Sequence, residues 1–392
     1  MDSHVSASMR EDWNSRAEED AGYYVAFGRR DQDDEDFFAT GAETAAGIAL
    51  ELRRLPADMR DRALEIGCGP GRLMRPMSAH FREIHGVDVS DRMIELAKQK
   101  LARTPNAFPR ATDGANLPHI ESASIDFVYS YAVFQHIPSR DVVWQYMREI
   151  HRVLKPMGIA RLQFNGLPRT AEAEAAYTTW AGSRFTPAEI LEFAAANDLQ
   201  VYAMEGADTQ YMWSTWRQRK PGWHDMNPAP ARIRRVTNSN GSEPVAPCRG
   251  RFAAISVWVE GLTEAACLNH LGVSIGGKLG RITYIGPPDS AGLQQIAALL
   301  PEDAATGLAA VVLTWKGRAI SEAATLRVIP PAPLVPRVVS VTDGVNLVAD
   351  HRIETGSVKL VMEDIEKPEG IRAELDGIPV LDIEYFCTDP RP

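Results

Sequence analysis

Three glycines at alternate positions, Gly67, Gly69 and Gly71, follow a short apolar run, and Asp88 closes the next apolar run 21 positions past Gly67. Residues 63–66 and 83–87 have the composition of buried parallel strands, and 72–81 reads as the helix fed by the glycine turn. Glycine adopts backbone angles closed to other residues and lets a ligand approach the main chain. A carboxylate at the carboxyl end of the second strand can accept both hydroxyls of a ribose, and hydrogen bonds to a charged group contribute about 1.5 to 3 kcal/mol each. The chemistry this spacing suits is the holding of a nucleoside cofactor. Two cofactor classes use such a layout. The nicotinamide fingerprint is GxGxxG with a pyrophosphate at the helix amino end, whereas here the order is GxGxG followed by Arg72. On the turn alone, a nicotinamide-binding oxidoreductase and an adenosyl-cofactor enzyme both stay open.

The elements downstream repeat the pattern. Residues 91–101 read as an amphipathic helix, 108–111 as a third strand followed by Asp113 and Gly114, and 125–130 as a fourth strand. A helix over 139–154 follows Pro138, and a Pro and Gly turn leads into a fifth strand ending near 164. Three successive strand ends thus carry the glycine turn, Asp88 and Asp113, on the edge where open parallel sheets bind ligands. Thr186 and Glu189 form a capping box around Pro187, predicting a helix over 186–197. Residues 199–204 and 211–216 supply the last two strands. The expected fold is α/β, a Rossmann-like doubly wound, mostly parallel seven-stranded sheet.

With LEIGCGPG at 64–71, GVDVS at 86–90, ATDGANLP at 111–118, DFVYS at 126–130, QHIP at 135–138 and REIHRVLKPMG at 148–158, residues 10–219 resemble the class I S-adenosylmethionine-dependent methyltransferases, of the small-molecule kind labelled type 11. The resemblance implies that Glu65, Gly67, Gly69 and Gly71, with the backbone of Cys68, hold the methionine part of S-adenosyl-L-methionine. It implies ribose binding by Asp88 beside Val89, and an adenine edge met by Asp113 with the backbones of Gly114 and Ala115. Ser130 and Tyr131 would line the methionine end. No metal ligand set is read from the sequence.

Methyl transfer from a sulfonium is an in-line displacement, so positioning is the main task, and well-oriented reactants save roughly 7 to 11 kcal/mol of barrier. For a hydroxyl acceptor a general base would add about 10² to 10⁴-fold. His136, just past the fourth strand, is the candidate catalytic base; its alternative is an imidazole satisfied within the loop that shapes the pocket floor. His151, inside a helix pattern, reads as structural. Acceptor-pocket candidates are Trp13, Tyr23 and Tyr24, with Phe27, on an amino-terminal segment that in similar enzymes closes over the cofactor, and Tyr177, Trp180 and Arg184 in the insert 165–185. Rings in these places either stack on a substrate or bury against the sheet.

At 392 residues the chain calls for two or three domains. Its 45% apolar and 24% charged residues are ordinary for a soluble globular protein. The net charge of −10 argues against nucleic acid, which is bound through clustered Lys and Arg; the expected acceptor is a small molecule or glycan. No apolar run approaches the roughly 18 residues of a membrane helix, and the amino end lacks a basic-then-apolar export pattern, so the expectation is a cytoplasmic protein away from membranes. The acidic run 31–38 reads as a solvated loop. Cys68, Cys248, Cys267 and Cys387 match no CxxC metal motif; a bond between Cys248 and Cys387 would restrain a long loop, against the absence of an export pattern.

The composition changes near residue 220. Residues 1–220 form the expected methyltransferase domain, and 221–247, rich in Pro, Asn, Ser and Gly, read as a linker. Beyond it, FAAISVWVEGL, LGVSIGG, GRITYIG, AAVVLTWKG and ATLRVIP are short β-rich runs spaced as in a sandwich. Through VSIGGKLGRITYIGPP and WKGRAISEAATLRV, residues 248–332 are similar to immunoglobulin-like modules of the transcription-factor (IPT/TIG) type, which implies a fold only. Residues 333–392, with PRVVSVTDG, SVKLVMED, IRAELDG and VLDIEYF, are a second β module or an extension of the first. The expected activity is methyl transfer to an O or N atom. The alternative is that the sandwich, binding carbohydrate or protein, is the functional part and the first domain only recruits cofactor.

Overall fold

In the structure, a computed structural model, residues 3–26, 30, 32–219, 222–223, 226–333, 335–344, 352–365 and 370–385 are described. Helix α1 (Ser3–Ala26) breaks its helical geometry at Asp20, where φ is −168° and ψ is 90°. Helix α2 (Asp34–Ala49) starts at Asp33, whose side chain accepts the Asp36 N–H. Most of the acidic run is therefore not a solvated loop. Asp34, Glu35 and Asp36 occupy the first turn of α2, where carboxylates complement the positive end of the helix dipole, and Phe37 and Phe38 behind them are buried.

Strands β1 (Arg62–Ile66), β2 (Glu83–Asp88), β3 (Ala107–Ala111), β4 (Ile125–Ser130) and β5 (Leu154–Phe164) pair in parallel in the order β3-β2-β1-β4-β5. Both faces of this sheet are covered. Leu64, Ile66, Val128, Leu162 and Phe164 enter one core, and Ala63, Ile84, Phe127 and Tyr129 enter the other. That is why these strands read as continuous apolar runs rather than alternating ones. Between β1 and β2, the helix expected over 72–81 is only the single turn α3 (Met74–Met77) with a 3-10 turn at Ser78–His80. The turn after β1 consumes the residues up to Leu73. Helix α4 (Asp91–Lys100) is capped by Ser90, whose hydroxyl accepts the Met93 N–H at 3.0 Å. Helix α5 (Arg140–Val153) lays Val143, Met147 and Ile150 against the sheet. Short α6 (Ala171–Ala175) precedes α7 (Pro187–Ala196), which shows the capping box expected from Thr186 and Glu189. Strands β6 (Leu199–Glu205) and β7 (Met212–Gln218) finish the seven-stranded sheet, with β7 antiparallel between β5 and β6.

The stretch 221–247 is more than a linker. It contains β8 (Arg232–Asn238) and β9 (Val245–Pro247), in spite of its Pro, Asn and Ser content, because both find partners far along the chain. Strand β10 (Ala254–Glu260) pairs with β8 and β13, β11 (Leu271–Ile275) with β12 (Lys278–Ile285) and β14, and β13 (Leu293–Leu299) with β10 and β12. Strand β14 (Gly307–Trp315) also pairs with β15 (Arg318–Ala319) and β16 (Ala324–Ile329), and β16 with β9. Their inward residues, among them Val257, Val273, Ile296, Val311 and Leu326, share one core. Strand β13 carries no clear alternation, and the sequence pattern does not anticipate it. Two hairpins follow, β17 (Arg337–Asp343) with β18 (Val358–Glu363), and β19 (Ala373–Leu375) with β20 (Ile378–Val380). The last expected run keeps only its first residue in a strand, since 381–385 have no regular structure. Cys387 lies outside the described residues, and with it the pairing to Cys248.

The two units share a continuous sheet. Tyr284 of β12 pairs with Ala203 of β6, and Tyr202 of β6 is buried in the core of the second unit. Gln200 donates to the carbonyls of Glu264 and Ala266 at 2.7 Å each. The Arg54 guanidinium lies over the rings of Tyr202 and Tyr284, 4.6 and 5.0 Å from their centres. Among the described residues no helix is long and apolar enough to cross a membrane.

Candidate functional site

The carboxyl ends of β1, β2 and β4 open into a cavity with about 900 Å³ of empty space, mouth included. Its floor is the glycine turn. The N–H groups of Gly67 and Cys68 both donate to the Val87 carbonyl, at 2.7 and 3.0 Å, which ties the turn to β2. Gly67 has φ +69°, and a Cβ there would lie 2.2 Å from the Val133 side chain. Only glycine fits, for angle and for space. Gly71, at φ +89°, instead lets Leu101 approach, since a Cβ would lie 2.6 Å from it; it packs α4 against the turn and does not line the cavity.

Asp88 is half-buried at the end of β2, on the cavity lining. Its Oδ2 accepts the Gly69 N–H and its Oδ1 the Ser90 N–H, both at 2.9 Å. Burial raises its pKa, with these amide donors acting in the other direction. A carboxylate has about four lone-pair sites, so this one orients the glycine turn and keeps acceptor capacity toward the cavity that it lines. Glu65, at the end of β1, accepts the Tyr129 hydroxyl at 2.8 Å. Burial pushes its carboxyl up to about 8, although the Tyr129 hydrogen bond and the nearby Arg72 guanidinium favour the charged form.

The roof comes from α1, which the 178–184 loop braces. Met9, Trp13, Tyr24 and Val25 of α1 line the cavity. Arg10 clips α1 to the sheet edge, donating to Asp91 at 2.5 Å and to the Thr112 carbonyl at 2.7 Å. Asn14 accepts the Ser90 hydroxyl at 2.7 Å. Asp12 accepts the Thr179 hydroxyl at 2.5 Å, which joins α1 to the loop. His136 stands below, with Trp13 edge-on at 5.5 Å and Trp180 at 5.1 Å between ring centres. Its Nδ1 donates to the Trp180 carbonyl at 2.7 Å, which leaves Nε2 as the lone-pair nitrogen, 3.2 Å from the Gln135 amide nitrogen. The Gln135 carbonyl oxygen in turn accepts from Gln163 at 3.0 Å, which fixes that amide with its NH₂ toward His136. Burial, and after it the charge of Arg16, bring the imidazole down to about 4.

Of the cofactor residues read from sequence, Glu65, Gly67, Cys68, Gly69, Asp88, Val89, Gly114 and Tyr131 surround the cavity. Asp113, Ala115 and Ser130 do not line it. Asp113 closes its own turn, accepting the N–H groups of Ala115 and Asn116 at 2.9 and 2.7 Å. Ser130 donates to the Ile66 carbonyl at 3.0 Å. Among the acceptor-pocket candidates, Trp13 and Tyr24 line the cavity and Trp180 backs His136. Tyr23 lies under the Arg30 guanidinium. Tyr177 accepts the Arg184 N–H, and Arg184 donates to the Pro168 carbonyl, so both hold the loop itself. Phe27 is outside the described residues. The sequence reading missed Met9, Val25, Arg72, Leu73, Met93, Ala132, Val133, Ile137 and Tyr146 as lining residues. Arg72 alone carried a signal, its place directly after the glycine turn.

Residues 64–162 match the family described as Methyltransferase domain. A biotin biosynthesis bifunctional protein, BioHC, of Cellvibrio japonicus (strain Ueda107) is 33% identical over 138 residues, covering 35% of this chain and 26% of that protein. A trans-aconitate 2-methyltransferase of Methylobacterium radiotolerans is 30% identical over 187 residues, covering 44% of this chain and 65% of the relative. Phosphoethanolamine N-methyltransferase 1 of Haemonchus contortus, solved with phosphoethanolamine and S-adenosylhomocysteine, superposes with a TM-score of 0.42 at 17% identity, covering 56% of this chain and 50% of that one. The chain thus spans less than two thirds of the length of these curated relatives. Residues 64–162 form a methyltransferase domain, and S-adenosylmethionine is its cofactor. The cavity fits that molecule: Gly67 and Gly69 of the turn line it, and Glu65 and Asp88 bring two carboxylates to the same lining.

Proposed function

We propose that this protein is an S-adenosylmethionine-dependent methyltransferase acting on an O or N atom of a small molecule or glycan. The observation that carries the reading is the convergence of the glycine turn, Glu65 and Asp88 on one cavity roofed by Met9, Trp13 and Tyr24. Two relatives, from Methylobacterium radiotolerans and Rhizobium rhizogenes, carry the name trans-aconitate 2-methyltransferase, which supports a small-molecule acceptor. Asp88 would hold the ribose, Glu65 and the glycine turn the methionine part, and Gly114 the neighbourhood of the base. The cofactor supplies an electrophilic methyl group on a positively charged sulfur. The chain's own residues orient the acceptor and exclude water, which Trp13, Tyr24, Val25 and Ile137 do from above and His136 from the side. His136 serves as a rigid neutral wall, because its Nε2 lone pair is taken by Gln135. The β-rich unit after residue 231 is read as an immunoglobulin-like sandwich on the support of its antiparallel pairing around one core. Its place is structural, since it extends the sheet through β6 and β12.

Calorimetric titration tests the reading. S-adenosylhomocysteine should bind at micromolar concentration and NADH should not; the reverse result removes the proposal. Incubating lysate metabolites with isotopically labelled methyl donor then identifies the acceptor.

A further inference from the structure

Among the described residues Arg72 is the one arginine or lysine that lines the cavity, and it has a donor to spare. It is 6% exposed, and among the described residues no carboxylate makes an ion pair with it within 4 Å, although Glu65 is near enough to feel its charge. Nη1 donates to the Thr40 carbonyl at 3.0 Å, Nε is enclosed by protein without a hydrogen-bond partner, and among the described residues nothing accepts from Nη2. The guanidinium lies 5.6 Å from the Tyr131 ring centre. Tyr131 is stacked on Trp213, 5.5 Å away and 7° from parallel, and Trp213 carries the Arg161 guanidinium at 4.7 Å. A nearly buried guanidinium without a paired carboxylate is costly, so Arg72, on the cavity lining, calls for an acceptor atom from a ligand. A second guanidinium, that of Arg16, stands behind the opposite wall over Trp13 and Trp180, at 4.8 and 5.4 Å, with Nη1 buried and also without a partner.

The proton acceptors of the cavity are spoken for. Asp88 is committed to the glycine turn and, in the reading above, to the ribose; the His136 Nε2 receives the Gln135 amide, and Glu65 sits beside the glycine turn where the methionine ammonium needs it. A neutral hydroxyl and a protonated amine must each lose a proton to be methylated cleanly, and neither finds a free base among these groups. An amine, as a cation, is also repelled by Arg72 and Arg16. An anion needs neither help nor forgiveness.

Resting on the methyltransferase reading, we propose that the acceptor is an organic carboxylate, held by Arg72, with its apolar body against Trp13, Tyr24, Val25, Tyr131 and Ile137. One carboxylate oxygen donates its lone pair to the methyl carbon, a C–O bond forms, and the C–S bond breaks with its electron pair passing to sulfur. The products are a methyl ester and S-adenosylhomocysteine, with no proton taken up or released by the protein.

The test uses the full chain. Straight-chain carboxylates from butyrate to decanoate, together with phenylacetate, are titrated against the matched alcohols and amines by tryptophan fluorescence and calorimetry, with S-adenosylhomocysteine present. The same compounds are then assayed with the methyl donor for methyl ester. Binding and ester formation confined to acids is expected. An alcohol or amine methylated as well as its matched acid, or no acid bound at all, overturns the inference. In Arg72→Gln, acid affinity should fall at least tenfold while S-adenosylhomocysteine affinity stays within twofold. A parallel loss of both would assign Arg72 to the carboxylate of the cofactor and refute the acceptor role, leaving the methyltransferase reading intact. Absence of S-adenosylhomocysteine binding to the unaltered chain would instead refute that reading. Should Arg72→Gln fail to fold, the acid, alcohol and amine comparison on the unaltered chain decides alone.

Discussion

Replacing Glu65 with glutamine should change how the protein's stability depends on pH. Glu65 is fully buried at the end of β1, and its carboxyl stands at about 8 instead of its ordinary 4.5. The folded state therefore binds a proton over a range in which the unfolded state has released it. Stability contributed by a raised carboxyl is fully present below about pH 4.5, declines as pH rises, and is lost through about pH 8. At about 1.4 kcal/mol per pH unit, the whole range amounts to about 5 kcal/mol, of which about 3 kcal/mol falls between pH 5 and pH 7. The amide introduced by Glu65→Gln keeps an oxygen for the Tyr129 hydroxyl but has no proton to lose. Urea or thermal melts of both proteins at pH 5, 6, 7 and 8 give the comparison, and the difference between them cancels every other titrating group. The unaltered protein should lose about 3 kcal/mol relative to Glu65→Gln from pH 5 to pH 7, roughly 6 to 12 °C in the melting midpoint for a unit of this size. Parallel stability curves would refute the burial argument.

Three further outcomes follow from the same geometry. Asp88→Ala removes the ribose acceptor and frees the Gly69 N–H, so S-adenosylhomocysteine affinity should drop at least tenfold by calorimetry; an unchanged affinity would mean that the carboxylate serves only the turn. His136→Asn should lower kcat less than tenfold and introduce no new inflection near pH 6.5, since the imidazole stands at about 4; a loss on the order of 10² to 10⁴ would restore the base role. The fragment 1–220 should melt well below the full chain and tend to aggregate, because it exposes Tyr202 and strips Gln200 of both carbonyl partners; a fragment as stable and as active as the whole would make the β unit a separate binder.

What could be read from the chain was whatever depends on near neighbours. The apolar runs of β1, β2 and β4, the capping box of α7 and the alternate glycines of the turn are local patterns with local causes. Asp88 could be placed at a strand end because the strand end is set by the same run of residues. Three things escaped. The acidic run became the first turn of α2 because Phe37 and Phe38 have a core to enter, which composition does not reveal. Strands β8 and β9 exist through pairing with β10 and β16, from residues that would otherwise read as a linker. Asp113, expected to face the base, spends its carboxylate on its own turn.

The sequence by itself determined the class of sheet, the glycine turn and the acid that faces it, since strand period and backbone freedom are properties of a few adjacent residues. Tertiary structure alone decided which side chains meet around the cavity. His136 is pinned by the Trp180 carbonyl from far along the chain, and Arg72 is buried with its Nε left without a partner, and desolvation depends on that packing rather than on residue type.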